Sequence, residues 1–407
     1  MVSDMHGEGM ASTLLRVLSI SALLGAAACA AEGTDDAADL GEDDSELTAK
    51  TSLYPNDVSI LFSLPKGKDK DLLLGASSAG AKGELLPDAT FKKLPPLAMG
   101  GGTRDELRVV SARIDPCFAA LGPTDPAACK NQIRLVFQPI DASEPNEKIT
   151  PKDAAVHAFY SIDRAELTQV AKEILAARRG TAGSRRTALG VHPLIEAQGL
   201  SGTFATDVRA VLVKHAGKEN LSRVTFMTRE PSRQGQWKFG GFDIAGARHT
   251  KMKIATLGDT TEQTFSTLAR NGSATPAPVA PDDISLLFRT FEADAANADA
   301  LKKAYSATVR ITNPTVHSPD TMDCVSCHTA ASAKIYAEKS KGQSSNGNPA
   351  AFASRYNLSL SKSPATEKPD NLHAFGYFFQ EPSISSRTAN ESAAVAEAIN
   401  TTVLSQR

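Results

Sequence analysis

Five cysteines and one tryptophan are all that the 407 residues contain of either, and aromatic residues make up only 6%. So thin a cysteine supply excludes a small scaffold stapled by disulfides, and each thiol needs its own account. Charge is not in excess on either side. There are 44 Lys and Arg against 46 Asp and Glu, a formal net charge of −2 without a long basic run, which argues against nucleic acid as a partner. Past the N-terminal segment no apolar run nears the roughly 20 residues that span a bilayer. Catalytic signatures are missing too: there is no H-E-x-x-H, no G-x-S-x-G elbow, and Gly100-Gly101-Gly102 is not followed by Gly-Lys-Ser/Thr, so it is no P-loop. With 41% hydrophobic and 22% charged residues, the chain suits one large or two ordinary globular domains with ample core.

One stretch carries a specific chemistry, Asp320-Thr321-Met322-Asp323-Cys324-Val325-Ser326-Cys327-His328-Thr329-Ala330. Two cysteines three apart, followed at once by a histidine, form the pattern that attaches a c-type haem. On the first turn of a helix, thiols at i and i+3 share one face and reach the two vinyl groups of one porphyrin edge. The next side chain, His328, then binds the iron. Asp320 or Asp323 can cap that helix, and Ala330, Ala331, Ala333, Ile335 and Ala337 continue it. Zinc and a redox disulfide are the alternatives. A zinc site would want a second short-spaced ligand pair, and a redox CxxC would want a βαβ setting; the sequence offers neither.

Residues 1–28 read as a signal peptide. Arg16 precedes an apolar run from Val17 to Ala28. Asp4 and Glu8 sit badly in a positive n-region, so Met10 is the expected start. Ala26-Ala27-Ala28-Cys29 resembles the lipobox of bacterial lipoproteins, with Ala26 where that box usually carries Leu. The resemblance implies a lipid on Cys29; cleavage near Ala28 without a lipid is the alternative. Either way export to the periplasm or outer cell surface is expected, the side on which bacteria attach c-type haem. With Cys29, Cys324 and Cys327 assigned, Cys117 and Cys129 are left to pair in an oxidising compartment. Residues 29–50 are acidic and small, a solvated tether unable to bury a core.

Residues 51–280 read as a β-rich α+β domain. Val58–Phe62 is an apolar run bounded by prolines. Strands are expected at 107–114 and 132–138, the second alternating Ile133, Leu135, Phe137 against Arg134, Val136, Gln138. Cys117 and Cys129 flank the turn between these two strands, so a disulfide would staple a hairpin. A strand at 155–161 runs into a helix capped by Asp163 with Glu166, its stripe Leu167, Val170, Ala171, Ile174, Leu175 closed by Gly180. A second helix near 203–216 aligns Phe204, Val208, Val211 and Leu212, with His215 at its end. Further strands are expected near 222–229, 236–243 and 251–257. His157, His192 and His249 occur singly.

Residues 271–282 read as a linker, which makes 281–407 a second domain. Pro281-Asp282-Asp283-Ile284-Ser285-Leu286-Leu287-Phe288 echoes Pro55-Asn56-Asp57-Val58-Ser59-Ile60-Leu61-Phe62, either a duplication or two buried strands entered from similar turns. Helices follow at 297–309 and 323–340, then a last one opening at Thr388-Ala389-Asn390-Glu391. A helical C-terminal segment holding Cys324, Cys327 and His328 resembles the c-type cytochrome domain. The resemblance implies one covalent haem c, a smaller mainly helical fold, electron transfer and a redox partner not readable here. The family's downstream methionine ligand has no candidate, since no Met follows Met322. His373, in the aromatic stretch 371–379, is the expected second iron ligand; His317 or an open position are the alternatives. An open position would favour a haem-dependent redox enzyme, peroxidase-like or acting on a substrate bound in 51–280. A surface-binding lipoprotein with a structural haem is the third reading.

Overall fold

The computed structural model describes residues 51–97, 102–117, 130–141, 145–181, 187–230, 235–253, 262–267, 271–278, 282–318, 321–359, 365, 368 and 370–405. The expected signal peptide and acidic tether, Cys29, Cys129 and part of the expected 251–257 strand lie outside the described residues. Among those described, no helix is long and apolar enough to cross a membrane.

The fold is α+β. Its strands in chain order are β1 (Ser59–Leu61), β2 (Ala79–Gly80), β3 (Gly83–Glu84), β4 (Leu107–Asp115), β5 (Asn131–Asp141), β6 (Thr150–Pro151), β7 (Ala154–Ile162), β8 (Leu221–Arg229), β9 (Gln236–Ala245), β10 (Arg248–Lys251), β11 (Gln263–Ser266), β12 (Ser273–Thr275), β13 (Phe375–Phe378) and β14 (Glu381–Ile384). One antiparallel sheet runs β1-β4-β5-β7-β8-β9-β11-β12, with β6 beside β5 and β10 beside β9; β2-β3 and β13-β14 are separate hairpins. The helices are α1 (Pro55–Val58), α2 (Asp88–Phe91), α3 (Arg164–Ala177), α4 (Pro193–Gln198), α5 (Thr203–His215), α6 (Thr290–Ala295), α7 (Ala298–Ile311), α8 (Cys324–Lys341) and α9 (Ser386–Ala398).

Period-two alternation divides the sheet into two faces, and register aligns each across neighbouring strands. One face carries Ala112, Leu135, Ala158 and Val224 in one row, with Ile114, Ile133 and Tyr160 in the next. Helix α3 packs there on β5 and pairs with α5. As its sequence implies, α3 starts from Asp163, whose side chain accepts from Glu166 N–H at 2.8 Å. His215, at the end of α5, sits between Glu166 and Glu173, 2.9 Å from each, which ties the two helices together.

The other face is covered by the C-terminal stretch. Gln138 on β5 donates to Tyr377 O and accepts from Tyr377 N–H, holding β13 against the sheet. Gly376 permits that approach, since a Cβ there would lie 2.8 Å from Gln138 Oε1. Ser111 Oγ donates to Phe375 O, and Ser392 Oγ on α9 donates to Ser59 Oγ. Val325, Leu372, Phe375, Tyr377, Ala393 and Ile399 belong to the same apolar core as the strands. Residues Glu42–Arg407 cluster as one compact unit.

Three expectations need correction. The echo of residues 55–62 at 281–288 does not repeat the structure. The first copy gives α1 and then strand β1, whereas Ser285–Phe288 is a 3-10 turn that packs on α7. Identical local patterns are overridden by what each packs against. Within the expected linker, Ser273–Thr275 forms an edge strand on β11. The last helix begins two residues before Thr388, at Ser386: Ser385 caps it by accepting from Thr388 N–H, and Glu391 is used elsewhere.

Candidate functional site

The turn bearing both thiols is anchored at its very start. Asp323 Oδ1 accepts from Ser326 N–H at 2.9 Å and so caps α8. Gln263 on β11, fully buried, holds both partners of that turn. Its Nε2 donates to Asp323 Oδ1 at 2.9 Å, and its Oε1 accepts from Val325 N–H at 3.0 Å. Cys324 and Cys327 are free thiols one turn apart. Burial pushes the Cys324 thiol up to about 12, with Asp323 and Cys327 adding to it, and burial likewise raises Cys327. Both are therefore neutral thiols at physiological pH, not activated nucleophiles. Asp323 Oδ2 and Ser326 Oγ beside them are buried with no hydrogen-bond partner among the described residues.

His328 lies 2.7 Å through Nδ1 from Leu372 O. A carbonyl only accepts, so Nδ1 carries the proton. Burial pulls the imidazole down to about 4, against the opposing effect of the Leu372 carbonyl, with nearby His373 lowering it further. The ring is thus neutral, and its Nε2 keeps an unprotonated lone pair. This is the state a metal-binding imidazole takes, with the far nitrogen oriented by a backbone acceptor.

The sheet face opposite supplies the other wall. Phe239 on β9 and His157 on β7 approach His328 with ring centroids at 5.2 Å and 6.3 Å. His157 lies in a row of small neighbours across five strands, Ser111, Val136, Thr225 and Gly241. Burial, then His328, Arg134, His373 and Arg113, hold His157 well below the ordinary histidine range. Cys324, Cys327, His328 and His157 are each half-buried: the thiols pack against the flanking apolar clusters, and the two imidazoles, 6.3 Å apart, bound a hollow between α8 and the sheet.

An ionic cluster borders this hollow. Arg113 pairs with Asp115 and with Glu391, Arg134 reaches Asp115 at 3.3 Å, and Arg387 holds Glu391 at 2.6 Å. Burial raises Glu391, but Arg113, Arg387 and Arg134 outweigh it and hold the carboxyl well below the usual range. Arg134 is lowered by burial and by Arg113, and its Nε has no hydrogen-bond partner among the described residues. Three guanidiniums against two carboxylates leave one buried positive charge beside the thiols.

Neither a family model, nor a curated protein, nor a solved structure matches this chain. The site is therefore read from its own geometry. The donor chemistry fits a haem: two neutral thiols on one helical face, an oriented neutral imidazole, a half-buried hollow, and an incompletely paired Arg134 able to hold an acidic substituent. Among the described residues no group of three or more His, Cys, Asp or Glu side chains could hold a bare metal ion.

The two expected second ligands are both engaged. His373 Nε2 lies 2.9 Å from Asp153 Oδ1, and its ring meets Trp237 edge-on. It also adjoins Leu372, whose carbonyl holds the Nδ1 side of His328. His317 lies 2.7 Å from Asp282 Oδ2 through Nε2 and 3.2 Å from Thr321 Oγ1 through Nδ1. Cys117 is disulfide-bonded, while Cys129 and Cys29 lie outside the described residues. His157, Arg134 and Gln263 are the residues that sequence reasoning missed. For His157 the available signal was a polar residue in the middle of a strand, β7, that is otherwise largely apolar on both faces.

Proposed function

We propose that this chain is an exported c-type cytochrome that carries one covalent haem and transfers electrons. Cys324 and Cys327 attach the haem, His328 binds its iron, and a lipid on Cys29 tethers the protein to the membrane across the acidic segment. The observation that carries the reading is the state of His328: neutral, fixed by Leu372 O through Nδ1, with Nε2 left free one residue after two protonated thiols on the same helical turn. When bound, haem supplies a one-electron ferric–ferrous couple. The protein's own residues do the rest. Gln263 and Asp323 fix the turn, Leu372 orients the imidazole, Phe239 excludes water from its face, and Arg134 offers a cation to an acidic group. Electron transfer needs no substrate pocket beyond this. The redox partner would meet whichever edge of the site reaches solvent.

The test is covalent attachment. Expressed with a bacterial c-type haem maturation system, the chain should keep haem stain on a denaturing gel, and Cys324→Ser with Cys327→Ser should lose it. Stain retained by the double variant, or absent from the wild type, would sink the reading.

A further inference from the structure

We propose that His157 is the second axial ligand of that haem, so that the sheet and helix α8 close on opposite faces of one porphyrin. This rests on the haem reading and goes beyond it by naming the residue opposite His328 and assigning the 51–280 stretch a direct part in the site. Four observations converge on it. The His157 and His328 ring centroids lie 6.3 Å apart; two imidazoles bound on either side of one metal at about 2 Å each place their centroids about 6 Å apart. The His157 ring makes no hydrogen bond among the described residues, whereas His192, His215, His249, His317 and His373 each do. Its row neighbours Ser111, Val136, Thr225 and Gly241 are small, so no long side chain of that row crowds the ring. Finally, both expected competitors already hold carboxylates, Asp153 for His373 and Asp282 for His317.

Met227, buried on the same face one row away, is the remaining donor that the sheet could offer. The experiment therefore compares the full-length holoprotein with His157→Ala, His157→Met and Met227→Leu, by optical spectroscopy and ferric electron paramagnetic resonance. Haem staining of each comes first. The wild type should be low-spin with two nitrogen ligands. His157→Ala should keep its covalent haem, turn high-spin, and regain the low-spin signal when imidazole is added. His157→Met should stay low-spin but acquire a sulfur-to-iron charge-transfer band and a more positive midpoint potential, and it decides the matter if the alanine variant fails to fold. Met227→Leu should match the wild type. A stained wild type that is already high-spin would overturn the assignment while leaving haem attachment intact, and would favour an open, enzyme-like site. So would a His157→Ala variant that stays low-spin, or a His157→Met spectrum identical to wild type. A wild type without covalent haem would overturn the assignment together with the reading beneath it.

Discussion

The two faces of the central sheet are built from the same strands and solve opposite problems. On the side of α3, Leu135, Ala158 and Val224 meet aliphatic helix residues, and burial alone holds the layers together at about 25 cal/mol per Å² of apolar surface removed from water. On the side of α8 and α9, the intervening residues include Arg113, Ser111, Arg134, Gln138, His157 and Thr225, and polar pairs join the layers alongside their apolar contacts. Buried ion pairs rarely add net stability, because desolvation offsets their attraction. The first face therefore stabilises the fold, and the second gives up stability to hold specific groups in place around a hollow. Packing two such layers on one sheet also explains why residues 281–407 share a core with the strands.

The largest expected break in this comparison comes from the ionic cluster. Glu391→Gln strands Arg113 and Arg387 in the interior and should cost about 3–5 kcal/mol in urea unfolding. Replacing Arg113, Glu391 and Arg387 together by apolar residues should restore most of it. On the other face Leu135→Ala should cost about 2–5 kcal/mol with no partner substitution able to restore it. A loss under about 1 kcal/mol for Glu391→Gln would mean that the cluster is not a coupled unit.

Next in size is pH. In the haem-free chain His328 takes its proton at about 4 when folded, against 6.5 for the ordinary group. Above pH 6.5 neither state is protonated and the full contribution is present. As pH falls from 6.5 toward 4 the unfolded chain binds the proton first, so stability should drop by up to about 3 kcal/mol. His157 acts in the same direction. The Cys324→Ser, Cys327→Ser chain should show this slope by thermal unfolding, and adding His328→Phe should flatten it. Equal slopes in the two would show that burial of His328 is not the cause.

Smaller effects test how the layers are held in register. Gln263→Met removes both anchors of the α8 start, leaving Val325 N–H unpaired and Asp323 with Ser326 N–H alone, at a cost of about 1–3 kcal/mol. Hydrogen exchange should show the loss confined to the first turn of α8. Gly376→Ala pushes a methyl into Gln138 Oε1 and should cost about 1–2 kcal/mol through the Tyr377 pair. Protection of the Tyr377 amide unchanged from wild type would count against that account.

The sequence shows the strands well and the site by half. β4 and β7 stand within a residue of their expected spans and β5 runs three residues past its own, because alternating or continuous apolar runs mark strands whatever covers them. The caps of α3 and α8 are legible because Asp163 and Asp323 act within three residues of their own position. The C-x-x-C-H turn is legible for the same reason. What stays hidden is long-range: Gln263 meets Asp323 from 60 residues away, and His157 faces His328 only once β7 has joined the sheet. Alternation in β5 separates Arg134 and Gln138 from Ile133 and Leu135 but is silent on whether water or another layer lies over them. The short strand-or-turn segment at 285–288 fails for a related reason, since three apolar residues after Ser285 carry no periodicity of their own.

Asn400 exchanges two hydrogen bonds with the backbone of Leu53, at 2.9 Å and 2.8 Å, across 347 positions of chain. A ribosome delivers these partners at opposite ends of synthesis. The neighbouring strand β1 is an edge strand whose Ser59 meets Ser392 of α9. Until the chain from Leu372 onward is made, the sheet face that α9 covers stays open, and His328 still lacks the Leu372 carbonyl that orients it. The haem proposed above would have its steric opportunity before that final helix closes over the sheet.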